Sequence, residues 1–222
     1  MLKEVNELLI QLMYFDNKYH FLLKVDGRYL LGYIIVIGFI AICIYVYVKK
    51  DHFELTCIVS TVDGNKYCVR ERDRIQEAAD LLARTTVKCT ELVNYVRVKY
   101  PLQENVKRLV TNFNPKKIME TLPTSDYTAY SENKGEKIAF CLNKVKKSNE
   151  NLIDEHTLTF VAIHELSHVM TKSIGHKPEF WDNFKFLLEN AKEAKIHDPV
   201  DYSKKPTEYC SLTISDSPYY EL

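Results

Sequence analysis

The chain has 222 residues, 46% of them hydrophobic, with 30 basic and 30 acidic side chains and therefore no net charge. That length suits one medium domain plus an appendage. A neutral chain lacks the basic footprint of a nucleic-acid-binding domain, so nucleic acid is not indicated as a partner.

The first segment, residues 1–29, opens with Leu2, Val5, Leu9 and Leu12 at helical spacing, with Lys3, Glu4, Asn6 and Glu7 between them. The pattern predicts an amphipathic segment that lies on a membrane, pairs with another chain or simply leads into the next, apolar run. Residues 30–48 (LLGYIIVIGFIAICIYVYV) carry no charge. As a helix they would extend about 28 Å at about 1.5 Å per residue, close to the thickness of a bilayer's hydrocarbon. Tyrosines near both ends and the Lys49–Lys50 pair beyond suit an interface. The expectation is one transmembrane helix in a single-pass membrane protein. Basic residues on its two sides tie in number, and the lysine pair tilts the C-terminal domain toward the cytosol.

Residues 51–222 read as one folded domain, slightly more acidic than basic. The stretch ELTCIVSTVDGNKYCVR predicts a β-hairpin turning at Asp63-Gly64. With Val62 paired to Asn65, Cys68 falls opposite Val59 and not Cys57. The six cysteines form no CxxC and no dense framework, so they read as reduced thiols, mostly in the core. A helix is predicted from about Asp73 to Lys99, its buried stripe running Ala78, Leu81, Leu82, Thr85, Cys89, Leu92, Val96, with Pro101 ending it. A second helix covers Glu104 to Asn112. Two short strands, Tyr127 to Tyr130 and Lys137 to Leu142, flank an Asn-Lys-Gly turn. The next helix starts near Asp154, with Asn151 or Asp154 as cap, and ends before Gly175. Pro178 begins a last helix, to about Ala194, that buries Phe180, Phe184, Leu187, Leu188 and Ala191.

The run HELSHVMTKSIGHKPEFW, from His164 to Trp181, concentrates the chemistry. His164 and His168 stand four apart, one helical turn, so both imidazoles can reach one ion. Glu165 lies beside the first and can address a water on that ion. A catalytic zinc site normally takes three protein ligands and leaves one position open. The metal lowers the pKa of that water and the carboxylate takes its proton. His176, just past a glycine, is the favoured third ligand. Glu179 and Glu189 are the rivals, and His197 is a distant choice. His20, His52 and His156 have no metal role in this reading.

The same run resembles the WLM and SprT-like (Spartan-like) minimal zinc peptidases, which carry HExxH, a short link, a Gly-His pair and then Phe or Phe-Trp. His164, Glu165, His168, Gly175, His176, Phe180 and Trp181 match that pattern. The chain is most similar to WLM-type proteins of large DNA viruses, which share a DGxxYxVR-like hairpin (Asp63 to Arg70) and a DYxxxPxEYC-like tail (Asp201 to Cys210). In that group glycine usually follows the tail cysteine, where this chain has Ser211. The resemblance covers about residues 55–215. It implies an α+β fold, a compact minimal zincin-like domain with a long helix, a small mixed sheet and the HExxH helix. It also implies one zinc ion, a protein or peptide substrate, and an edge strand that pairs with the substrate backbone. The candidate for that strand is Lys137 to Asn143, with Ile138 and Phe140 on it. Tyr202 and Tyr209 in the tail are candidate oxyanion stabilisers. The function expected is a membrane-anchored zinc endopeptidase, its domain cytosolic or inside a virion. The alternative is a non-enzymatic, zinc-stabilised membrane or virion protein that binds a partner. An intramembrane protease, which also uses HExxH, is a third and disfavoured reading, because the apolar run before His164 is short and flanked by Asp154, Glu155 and His156.

Overall fold

The structure is a computed structural model that describes residues 27–48, 55–148 and 151–221. It divides into two units, Met1–Lys50 and Asp51–Leu222.

In the first unit, α1 covers Gly27–Val48. The apolar run is helical as expected, but the single-pass membrane reading does not stand. No helix among the described residues is long and apolar enough to cross a membrane. The transmembrane part of the expected fold, and the localisation built on it, are corrected accordingly. The predicted amphipathic segment lies almost wholly outside the described residues.

The second unit is a mixed α+β fold. A hairpin of β1 (Leu55–Val59) and β2 (Lys66–Arg70) precedes the long helix α2 (Ile75–Lys99) and the short α3 (Glu104–Asn112). All seven stripe residues predicted for α2 are buried. That face packs chiefly on the metal-motif helix α4 (Glu155–Met170) and on β2. Helix α4 begins where Asp154 accepts the Thr157 amide at 2.8 Å, the capping bond that satisfies one of its orphan donors. From Thr157 to Met170 it is buried at every residue except His164 and His168. Helix α5 (Pro178–Glu193) packs beside it through Phe180, Phe184, Leu187 and Leu188.

The central sheet holds β3 (Ile118–Glu120), β4 (Ala129–Glu132) and β5 (Lys137–Phe140) in the order β3-β5-β4. Strand β5 runs parallel to β3 and antiparallel to β4. It therefore has no open edge, and Ile138 and Phe140 are each 1% exposed. The expectation that this strand pairs with substrate is overturned: both of its backbone edges are taken and its side chains fill the core. The outer strand is β4. Its turn into β5 passes Asn133, Lys134 and Gly135 at φ 48°, 59° and 115°. A Cβ on Gly135 would come within 2.8 Å of both the Asn112 carbonyl and a Val169 methyl. Glycine thus lets this turn seat directly on the metal-motif helix.

The hairpin register differs from the expected one by two residues: Val59 pairs with Lys66, and Cys57 with Cys68. The connection is a wider loop, closed by the Ser60 amide on the Asn65 carbonyl at 2.9 Å. Asp80 of α2 grips that loop, accepting from Ser60 Oγ, the Thr61 amide and Thr61 Oγ1 at 2.7–2.8 Å. Within the loop Asp63 accepts the Asn65 amide at 3.0 Å and Gly64 turns the chain at φ 70°. The slip brings Cys57 and Cys68 into a disulfide, and a second joins Cys141 to Cys210. Four of the six cysteines are thus paired, correcting the reduced-thiol reading; Cys89 is a buried free thiol. A buried cluster ties the hairpin to the sheet: Glu120 pairs with Arg72 and accepts the Arg70 amide at 2.7 Å.

The tail ends in β6 (Thr207–Tyr209) and β7 (Leu212–Ile214), antiparallel. Their turn is Cys210-Ser211, at φ 50° and 63°. Left-handed backbone favours glycine. Ser211 occupies it while its Oγ accepts the Lys146 amide at 3.1 Å.

Candidate metal centre

Helix α4 presents His164 and His168 on one face, and the chain then reverses through a short loop to return His176. His176 Nε2 lies 3.1 Å from His164 Nε2 and 3.1 Å from His168 Nε2. Imidazole nitrogens at about 2.0–2.1 Å from a tetrahedral zinc stand about 3.3 Å apart, so the set is close to the edge length such an ion requires. Among the described residues, these three are the group of metal-capable side chains that converge. The donor chemistry also fits a cation. Burial first, and then the neighbouring imidazoles, push His164 down to about 3; burial, His176 and Lys134 push His168 down to about 4. Both rings are neutral at ordinary pH, with lone pairs free to coordinate.

Phe180 holds the three rings together. Its ring centroid lies 4.9, 4.3 and 4.5 Å from those of His164, His168 and His176. The loop that returns His176 is braced on several sides. Glu179 accepts the Lys172 and Ser173 amides at 2.9 and 3.0 Å, which hold its carboxyl down at about 2. Lys134 donates to the Thr171 and Ser173 carbonyls at 3.0 and 2.7 Å. Arg108 donates to the Met170 carbonyl at 2.6 Å. Asn183 donates to Thr171 Oγ1 at 2.9 Å. The rival ligand Glu179 is thus engaged with the loop backbone, and neither it nor Glu189 joins the triad. These braces were not legible in the sequence, because each spans elements that only the fold brings together. The left-handed turn at Asn133-Lys134-Gly135 was the one local signal.

Glu165 is 4% exposed, and burial pushes its carboxyl up to about 8. It lies with the three histidines on the wall of a cleft of about 1030 Å³. One side of this cleft is β4 and its flanks, residues 127–134; another is the C-terminal segment. No strand pairs with the outer edge of β4 among the described residues. The strand that lines the cleft is therefore β4, four residues or more before the one expected. Tyr209 also lines the cleft; its hydroxyl donates to the Thr128 carbonyl at 3.3 Å, and burial followed by the charge of Glu165 raises its pKa. Tyr202 does not line it. That ring packs on Phe160 at 4.8 Å, and its burial pushes the hydroxyl up to about 12.

Comparison with known proteins places the chain near viral sequences. It is 28% identical over 172 residues to an uncharacterized protein of Acanthamoeba polyphaga mimivirus, covering 76% of this chain and 86% of the relative. An uncharacterized protein of Invertebrate iridescent virus 3 is 35% identical over 102 residues, 45% of this chain and 57% of that protein. One of Invertebrate iridescent virus 6 is 34% identical over 61 residues, 28% of this chain and 34% of that protein. No protein-family profile matches the chain, and no solved structure matches it.

Proposed function

We propose that the domain over residues 51–222 is a zinc-dependent endopeptidase of the WLM/SprT-like kind. The observation that carries the reading is that His176 Nε2 lies 3.1 Å from both His164 Nε2 and His168 Nε2, with the buried Glu165 lining the same cleft. His164, His168 and His176 would hold one zinc ion. Such an ion supplies Lewis acidity, making a water easier to deprotonate and a carbonyl easier to attack.

The chain's own groups would do the rest. Glu165 accepts a proton from the attacking water as its oxygen bonds to the scissile carbonyl carbon. It then delivers that proton to the departing amine nitrogen as the C–N bond breaks. Burial alone keeps Glu165 protonated near neutral pH, and a divalent charge nearby would favour the carboxylate that a base must be. Tyr209, a neutral hydroxyl that also lines the cleft, would have to exchange its bond to the Thr128 carbonyl for one to the substrate carbonyl oxygen as that oxygen gains charge. The free edge of β4 offers backbone groups for an extended peptide to pair with. Metal analysis and cleavage of an unfolded protein substrate test the reading in wild type and Glu165→Gln. The variant should retain about one zinc per chain and cleave roughly 10²–10⁴-fold more slowly. Undiminished cleavage by Glu165→Gln overturns it.

A further inference from the structure

The open edge of β4 and the loop that returns His176 meet through one side chain. Along β4, the Cys141 amide donates to the Thr128 carbonyl at 2.7 Å, while the Phe140 carbonyl faces the other way and accepts the Thr121 amide at 2.8 Å. Bonded and non-bonded pairs alternate along an antiparallel ladder. Tyr130 stands opposite Ala139, and Ser131 opposite Ile138. Tyr130 and Glu132 therefore bond to β5, and Ala129 and Ser131 turn their amides and carbonyls to the edge that no described strand pairs. This stretch lines the cleft.

Lys134 follows in the turn, with left-handed backbone at φ 59°, a conformation unfavourable for a lysine and easiest for glycine. Neighbouring contacts hold the turn there. Asn133 Nδ2 donates to Glu136 Oε2 at 2.7 Å, the Gly135 amide donates to the Glu132 carbonyl at 3.1 Å, and Gly135 sits against Val169 of α4. A strained residue held in place by its surroundings points to what its side chain does. The Lys134 ammonium takes the Thr171 and Ser173 carbonyls, and Glu179 of α5 takes the amide of the same Ser173. The loop before His176 is thus gripped from α5 by Glu179 and from the sheet by Lys134.

We propose that Lys134 is a positioning residue that couples the β4 edge to the metal centre. A polypeptide strand added at Ala129 and Ser131 orders β4 and its turn, and through Lys134 it orders the loop that presents His176. Zinc and an extended polypeptide then each bind more tightly in the presence of the other, because a coupling free energy is reciprocal. At limiting zinc, unfolded polypeptide itself favours the loaded centre. The proposal rests on the endopeptidase reading for the role of the strand, and deepens it by tying substrate to metal.

The test uses the full chain carrying Glu165→Gln, which slows turnover, with reduced and carbamidomethylated lysozyme as the unfolded polypeptide. Zinc affinity is read against a chromophoric chelator with and without this lysozyme, and lysozyme alone is the blank. Affinity should tighten at least about fivefold when lysozyme is present. Adding Lys134→Met should weaken zinc about 10–100-fold without lysozyme, shift the visible bands of Co2+ bound in place of zinc, and abolish the tightening. Lys134→Arg, whose guanidinium can donate to both carbonyls, should restore all three toward the parent chain. Ser131→Pro removes one amide from the open edge and spares the bonds to β5. It should keep the zinc affinity measured without lysozyme and lose the tightening. Far-ultraviolet circular dichroism should match in every variant. No tightening in the parent chain, equal tightening in Lys134→Met, or an arginine variant no better than methionine overturns the proposal. The peptidase reading is decided separately: wild type at saturating zinc that leaves the same lysozyme uncut removes it, whatever the coupling shows.

Discussion

Two groups of histidines sit along the same helix and behave differently. His164 and His168 on α4 meet His176 from the following loop, nitrogen to nitrogen at 3.1 Å. Near the start of α4, His156 meets His197 ring against ring, with centroids 4.3 Å apart. There His156 Nε2 is occupied by the Asp198 carbonyl at 2.8 Å, while both ring nitrogens of His197 are buried without a hydrogen-bond partner. The first group aims its lone pairs at one point beside a cleft; the second sets a half-buried His156 ring against a buried His197 ring. Proximity of imidazoles is therefore not enough. A metal site needs convergent lone pairs and a third donor, and among the described residues no third donor joins the pair.

Removing one histidine from each group breaks or upholds that contrast most sharply. His176→Ala should weaken zinc binding more than about hundredfold in competition with a chromophoric chelator, and His197→Ala should leave it unchanged. Equal effects would dissolve the distinction. Glu179→Gln sharpens it, because the triad depends on a braced loop that the pair lacks. Zinc affinity should fall about 10–100-fold with the helical circular dichroism unchanged. An affinity equal to wild type would show that the loop holds His176 without the carboxylate.

The smallest effect is on stability in acid. Burial, then His156 and Lys88, push His197 down to about 3, so the folded chain resists the proton that the unfolded chain accepts near 6.5. A depressed pKa contributes stability that is fully present above about 6.5 and lost as pH falls toward about 3. For His197 the loss is at most about 1.4 kcal/mol per pH unit. His164 and His168 act in the same direction in metal-free protein, so the test is a difference of slopes. Urea unfolding of metal-free His197→Gln between pH 6.5 and pH 5 should show a shallower loss than wild type. Identical slopes would mean that His197 titrates freely in the folded state.

Much of the helical scaffold was readable without a fold. Helix α3 falls on its predicted span of Glu104–Asn112, and α5 starts at Pro178 as expected. The Asp154 cap and the buried stripe of α2 also obey local rules of spacing and side-chain chemistry. The sheet was less legible. An Asp-Gly pair signals a tight turn, but the loop is wider, is bonded to Asp80 of another element, and leaves every strand partner two residues from the expected one. That slip is why the Cys57–Cys68 bond was missed. Lys137 to Asn143 was expected to be the open-edged cleft strand; apolar side chains buried in the core instead mark it as an interior one, and β4 took the edge. The apolar run of residues 30–48 proved helical without meeting the length and apolarity of a membrane-crossing helix.

By itself the amino-acid order determined that His164 and His168 share a face with Glu165 beside them, since a helix repeats every 3.6 residues whatever surrounds it. Whether His176 closes the triad, which carboxylate braces its loop, and which strand edge stands open were decided only by the packed chain. Those depend on groups far apart in sequence, Lys134, Arg108 and Tyr209 among them, whose meeting no local periodicity encodes.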